Sequence, residues 1–283
     1  MIYASTSCIK KNSIKESVVE LAQQGFTNIE LSGGTKFYAE YERDLLKLQD
    51  EYSLNYQVHN YFPPPPKPFI LNLATLDDEL YNQSINHCIQ AIQISKNLGG
   101  KKYGFHAGFL IDFTTQDVGK KINFRPISNR EQSIKRFTDA WKKLTDIAAS
   151  DVKLYIENNV FSATNHRIYA PKNPFMLTSY SDYKDLKKKI NFNFLLDLAH
   201  LKVSANSHNI NFNNEIKKLL PLTDYLHISG NDGLHDQNLG VEEDKILIEV
   251  LRDHDLSDKT ITLEVYGGIE ALLRSYNYIK TLL

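Results

Sequence analysis

Lys153-Leu154-Tyr155-Ile156-Glu157 and Asn193-Phe194-Leu195-Leu196-Asp197 share one design: a short apolar run that stops on a carboxylate. Each run is short for a helix and rich in aromatic or branched residues, so each reads as a buried strand. Working outward, the same kind of run recurs at Ile2–Thr6, Asn28–Ser32, Asn55–His59, Lys102–His106, Asp224–Ile228 and Thr260–Val265, making eight in all. Most are nearly continuous, as parallel strands covered on both faces should be.

Between the runs lie longer amphipathic segments. Ile134, Phe137, Trp141, Leu144 and Ala148 recur at helical spacing. Ile14, Val18, Leu21 and Ala22 mark another helix, with Gly25 placed to cap its C-terminus. Strands that alternate with helices predict parallel βα units, and eight strands are the number that closes a (β/α)8 TIM barrel. The chain of 283 residues suits one such domain over 1–283. The competing architecture, an open doubly wound sheet, would place a glycine-rich phosphate loop after its first strand. Ser7-Cys8-Ile9-Lys10 stands there instead.

Composition narrows the function classes. Hydrophobic residues make up 42% and charged residues 24%, with a formal net charge of −1. No block of basic residues marks a nucleic-acid groove, so a nucleic-acid partner is not expected. No stretch approaches the roughly 18 apolar residues of a spanning helix. Two cysteines, Cys8 and Cys88, form no CxxC pair, and the N-terminus has no signal-peptide pattern. A reducing, cytoplasmic setting is therefore expected.

Chemistry is placed by position. The runs end at or near His59, His106, Glu157, Asp197, His227 and Glu264. The C-terminal ends of barrel strands converge on one mouth, so these side chains should meet. A single strand-end histidine is more often structural than a ligand, but coincidence at six of eight strands is harder to sustain. Glu157, Asp197, His227 and Glu264 offer three carboxylates and an imidazole, a set suited to one divalent ion such as Mn²⁺, Mg²⁺ or Zn²⁺. His166 and His235 sit in loops within reach of the mouth, whereas His87, His208 and His254 read as solvated or outer-layer residues.

Three loops stand out. Pro63-Pro64-Pro65-Pro66-Lys67-Pro68 stiffens the backbone after the third strand. It is expected to form a wall or lid at the mouth, the alternatives being a surface spacer or a PxxP ligand. Ala107–Ile127 and Asn158–Ser181 are long, as functional barrel loops often are. Asn72, Phe161, Tyr169 and Phe175 suggest apolar walls for a sugar. Arg125, Arg167 and Lys172 are candidates for binding an anionic group, but each reads better as a solvated loop charge.

In this order, Phe105-His106-Ala107-Gly108, Tyr155-Ile156-Glu157-Asn158, Leu196-Asp197-Leu198-Ala199-His200, Leu226-His227-Ile228-Ser229 and Leu263-Glu264-Val265 resemble the xylose isomerase-like TIM-barrel superfamily. That superfamily holds sugar isomerases, ketose 3-epimerases, inosose dehydratases and endonuclease IV-type apurinic endonucleases. The resemblance implies Glu157 and Glu264 as ligands that also move a proton, with Asp197 and His227 as the other ligands. It implies that His200 contacts substrate oxygens. His59, His106, Asn72 and Asp236 are further expected substrate contacts, the first two alternatively serving a second metal.

The expected activity is that of a metal-dependent sugar or sugar-phosphate isomerase or epimerase acting on a small carbohydrate, with a homo-oligomer left open. The alternatives are a hydrolase or lyase on the same scaffold and a sugar-binding barrel without turnover. The endonucleases hold a third zinc through Asp-x-His after strand seven. Here that stretch is Leu234-His235-Asp236-Gln237-Asn238, and neither alignment of it supplies both ligands. Asn231-Asp232-Gly233 stands where the ketose epimerases carry an arginine, and the lysine pair of true xylose isomerases is absent.

Overall fold

The computed structural model describes residues 1–283. Eight strands, β1 (Ile2–Ser5), β2 (Asn28–Leu31), β3 (Asn55–His59), β4 (Lys102–His106), β5 (Lys153–Glu157), β6 (Asn193–Asp197), β7 (Tyr225–Ile228) and β8 (Thr260–Leu263), close in sequence order into one parallel barrel. The open-sheet alternative is thereby excluded. The predicted runs overran at β1, β2, β7 and β8 by one or two residues, because Thr6–Cys8 already turns as a 3-10 helix and Glu264 lies just past the last ladder pair.

Ten helices surround the barrel. They are α1 (Ile14–Gln23), α2 (Tyr41–Tyr52), α3 (Asp78–Asn97), α4 (Arg130–Ala148), α5 (Ala163–Tyr169), α6 (Tyr180–Lys187), α7 (Leu198–His208), α8 (Phe212–Leu219), α9 (Lys245–Arg252) and α10 (Ile269–Lys280). None is long and apolar enough to cross a membrane. The α4 helix shows why these segments are helical. Asn129 caps it by accepting from Gln132 N at 3.0 Å. Phe137, Ala140, Trp141, Leu144 and Ala148 form its buried stripe. Ser13 and Glu16 form a reciprocal capping box on α1, and Gly25 follows that helix at φ +86°, the left-handed stop that its position predicts.

The near-continuous apolar strands are explained by the two faces of the barrel. Outward-facing residues such as Leu154, Ile156, Phe194 and Leu196 join a 63-residue core beneath the helices. The interior is different. Tyr155, Leu195 and Tyr225 form a small separate plug, with the two tyrosine rings edge-on at 5.2 Å. Gly104 makes room for this plug, since a Cβ there would lie 2.8 Å from Leu195 Cδ2. Below the plug, Lys102 Nζ reaches Thr260 Oγ1 at 2.9 Å and lies over the Tyr225 ring, closing the N-terminal end. Above it, the inward positions are all polar.

Candidate metal centre at the C-terminal mouth

Register assembles the site. The β4/β5 ladder sets His106 opposite Glu157, and the β6/β7 ladder sets Asp197 opposite His227. Two pairs of the expected residues are therefore neighbours across a ladder before any side-chain contact is considered, the second pair two residues further along β6 and β7 than the Glu157↔Leu195 pairing. The side chains then converge. His59 Nε2 lies 2.7 Å from Glu157 Oε2, and His106 Nδ1 lies 3.4 Å from the same oxygen. His227 Nδ1 is 3.4 Å from Glu157 Oε1 and 3.8 Å from Glu264 Oε2. His200 Nδ1 stands 3.8 Å from both Glu157 Oε1 and Asp197 Oδ2.

These groups sort into three overlapping clusters whose donor atoms lie within 4.8 Å of one another: Glu157–Asp197–His227, His59–His106–Glu157, and Glu30–His59–His227–Glu264. Glu264 thus groups with Glu30 and His59, and shares only His227 with the first cluster. The residues fit a cation by a further test. Glu30 Oε1, His59 Nδ1, His106 Nδ1, Glu157 Oε1, His227 Nδ1 and Asp236 Oδ1 are all buried without a hydrogen-bond partner. Buried polar atoms are normally satisfied, so this concentration at one mouth marks donors held for something else.

The electrostatics follow from packing. Burial works to raise the Glu157 carboxyl, but His106, His59 and His227 outweigh it and hold it well below the usual range. Burial raises Glu264, only partly countered by His227 and His59. Asp197 is pushed up to about 7, first by burial and then by Glu157 and Asp236 against the pull of His200. His227 lies well above the usual imidazole range because Glu30, Glu264 and Glu157 overcome its burial. His200 is raised in the same way by Asp197 and Asp236. His106 goes down to about 4, since burial there exceeds the attraction of Glu157.

The rim residues divide. Asp236 Oδ2 reaches His200 Nε2 at 3.3 Å, so the loop after β7 delivers one carboxylate to the mouth. Asn238 instead accepts from Ser229 Oγ at 3.1 Å, and Leu234 is exposed. Asn72 is fully engaged between loops. Its amide nitrogen donates to Phe109 O and Asp112 Oδ1, while its oxygen accepts from Ala74 N and Phe109 N. Phe161, Tyr169 and Phe175 do not line an open wall as expected, because they bury against one another with Ile111 and Ile122. His87, expected as an outer residue, is buried and bonds Asn60 O at 3.1 Å, which braces the start of the proline-rich loop.

Sequence reasoning missed Glu30. It is fully buried on β2, and its Oε2 accepts from Tyr225 Oη, from Thr262 Oγ1 at 2.9 Å and from His227 Nε2 at 3.2 Å. The signal was available, since a carboxylate inside Asn28-Ile29-Glu30-Leu31 is as costly to bury as Glu157 inside its own run.

A closed parallel barrel with imidazoles and carboxylates gathered at its C-terminal mouth defines a class of scaffold on which that face carries the functional groups. The sequence model of the family described as xylose isomerase-like TIM barrel matches residues 18–281, and the chain belongs to that family. No curated protein matches the sequence. Among solved structures, a D-tagatose 3-epimerase-like protein is 17% identical, with a TM-score of 0.73 over 99% of this chain and 96% of its own. D-psicose 3-epimerase with D-tagatose from Clostridium cellulolyticum H10 is 12% identical, with a TM-score of 0.68 over 100% and 99%. Endonuclease IV from Thermus thermophilus is 15% identical, with a TM-score of 0.65 over 99% and 98%. At these identities the likeness is one of fold.

Proposed function

We propose that this protein is a divalent-metal-dependent enzyme that moves a proton at the carbon beside a carbonyl of a small carbohydrate or sugar phosphate, as an epimerase or isomerase. The observation that carries this reading is that Glu157 and Glu264 both approach His227 Nδ1, at 3.4 and 3.8 Å. Their environments push the two carboxyls in opposite directions, Glu157 downward and Glu264 upward. Two carboxyls in such different environments at one mouth suit a pair of proton-transfer groups.

Glu157, Asp197 and His227 would hold the ion, with Glu264 within reach. A cation there supplies electrostatic stabilisation for the negative charge that develops on the substrate oxygens. Removal of the proton by one glutamate and delivery of the other glutamate's own proton to the opposite face of the same carbon gives epimerisation. Delivery to the neighbouring carbon, with the hydroxyl proton passing from one substrate oxygen to the other, gives isomerisation. His200 and Asp236 stand at the rim as polar contacts for substrate hydroxyls.

A second reading, phosphodiester hydrolysis, is favoured by one specific observation. His59, His106 and Glu157 form their own metal-competent cluster, and Glu157 belongs to both centres, as a carboxylate bridging two ions would.

Metal content per chain and solvent-deuterium exchange into ketoses and their phosphates separate the readings. We expect one divalent ion per chain, lost in the Glu157→Gln/Glu264→Gln variant, together with deuterium at a carbon next to the carbonyl. Two or three zinc ions with cleavage of abasic DNA, and no carbon-bound deuterium, would refute the epimerase reading. An intact fold that takes up no ion would leave a sugar-binding barrel.

A further inference from the structure

We propose that Glu30 is a positioning residue that holds the ring of His227 through Nε2 so that Nδ1 is the nitrogen turned to the mouth and offered to a cation. The inference rests on the reading above, in which His227 helps to hold the cation. Glu30 lies on β2 and His227 on β7, strands that are not neighbours in the barrel. Their contact therefore crosses the interior. His227 Nε2 is 3.2 Å from both Glu30 oxygens. Glu30 Oε2 already accepts from Tyr225 Oη and Thr262 Oγ1, so it acts as an acceptor and the ring nitrogen that faces it is the donor. The proton on Nε2 leaves Nδ1 directed at Glu157 and Glu264.

Three features hold this arrangement. Tyr225, two residues before His227 and on the same face of β7, also donates to Glu30, as does Thr262 from β8. The carboxylate is thereby pinned from two strands before it meets the imidazole. The His227 ring is fully buried and packs edge-on against His59 at 4.6 Å and against Tyr225 at 5.5 Å, so little room remains for a flipped orientation. The other Glu30 oxygen, Oε1, also lies 3.9 Å from His59 Nδ1. One buried carboxylate thus faces two rings, and the opposite nitrogen of each is turned toward Glu157. A residue that orients a metal-binding imidazole in this way typically changes metal affinity by about 10–100-fold when it is removed.

The test uses the full chain with Zn²⁺ as a diamagnetic probe. Calorimetric titration should show Glu30→Gln binding zinc about 10–100-fold more weakly than wild type, with thermal melting of the zinc-free proteins checking that the variant folds. Nitrogen-15 spectra of zinc-loaded wild type should show His227 bound through Nδ1 with its hydrogen kept on Nε2. That second measurement needs no variant, so it stands even if Glu30→Gln fails to fold. Equal zinc affinity in a folded variant, or zinc on Nε2, would overturn the role of Glu30 while leaving the metal reading intact. A wild-type protein that binds no zinc would overturn both.

Discussion

Lys202→Met should destabilise this protein severely although it lies outside the metal-competent clusters. Lys202 projects from α7 and is only 5% exposed. Its ammonium reaches Asp244 Oδ1 at 2.7 Å, Asp244 Oδ2 at 2.6 Å and Asn231 O at 2.8 Å. Asp244 also accepts from Asn231 N and caps α9 through Leu247 N, both at 3.1 Å. The pair therefore ties α7, the loop after β7 and the start of α9 together, and that loop carries Asp236 to the mouth. Methionine keeps the aliphatic stem and deletes the charge, which leaves a buried carboxylate with two backbone donors. Breaking a buried pair from one side costs about 3–5 kcal/mol. For a chain of this size each kcal/mol is roughly 2 °C in Tm, so the melting point should fall by about 6–10 °C. Differential scanning calorimetry reads this directly. Adding Asp244→Asn removes the stranded charge, keeps a capping oxygen and should recover much of the loss. A single variant within about 1 kcal/mol of wild type, or a double variant no better than the single, would refute the account of a stranded charge.

Glu157→Gln should abolish tight cation uptake, because Glu157 belongs to two of the three donor clusters; elemental analysis showing wild-type metal content would count against the proposed centre. Gly104→Ala places a Cβ 2.8 Å from Leu195 Cδ2 and 3.4 Å from His59 Cδ2, so it should cost about 1–3 kcal/mol by overpacking and weaken cation binding by displacing His59. Both a chemical-denaturation curve and a zinc titration indistinguishable from wild type would show that the interior has slack. With pH, the sign depends on the ion. His200 and His227 lie well above 6.5, so their stabilising protons are fully present below that value and are lost as pH rises through the folded-state values. Asp197, raised from 3.8 to about 7, also loses stability with rising pH through that window, while His106, lowered from 6.5 to about 4, acts oppositely only below 6.5. The chelator-treated protein should therefore melt at progressively lower temperature above about pH 6.5. Metal-loaded protein should gain relative to it, since bound ligands must be deprotonated. Chelator-treated melting temperatures that climb above pH 6.5 would contradict these assignments.

Much of the fold was legible because barrel strands carry a local signature. Leu154 and Ile156 are apolar for the helices outside, while Glu157 ends the run at the mouth, and that contrast survives in one dimension. The alternating helices carry their own 3.6-residue stripe, as Phe137, Trp141 and Leu144 do. The strand-end rule also located Glu157, Asp197, His227, Glu264, His59 and His106, because in a parallel barrel the ends of all strands meet at one face. Only the tertiary structure decided which of these residues share donor clusters, that Glu264 groups with Glu30 and His59, and that Asp236 meets His200 while Asn238 turns to Ser229. It also decided that Asn72 clamps loops and that Phe161, Tyr169 and Phe175 bury one another. The reason is physical. A residue's cost of burial is written in its own chemistry and its neighbours along the chain, but the partner that offsets that cost is set by register and by the width of a closed barrel. Glu30 and His227 are 197 residues apart in sequence and 3.2 Å apart in space.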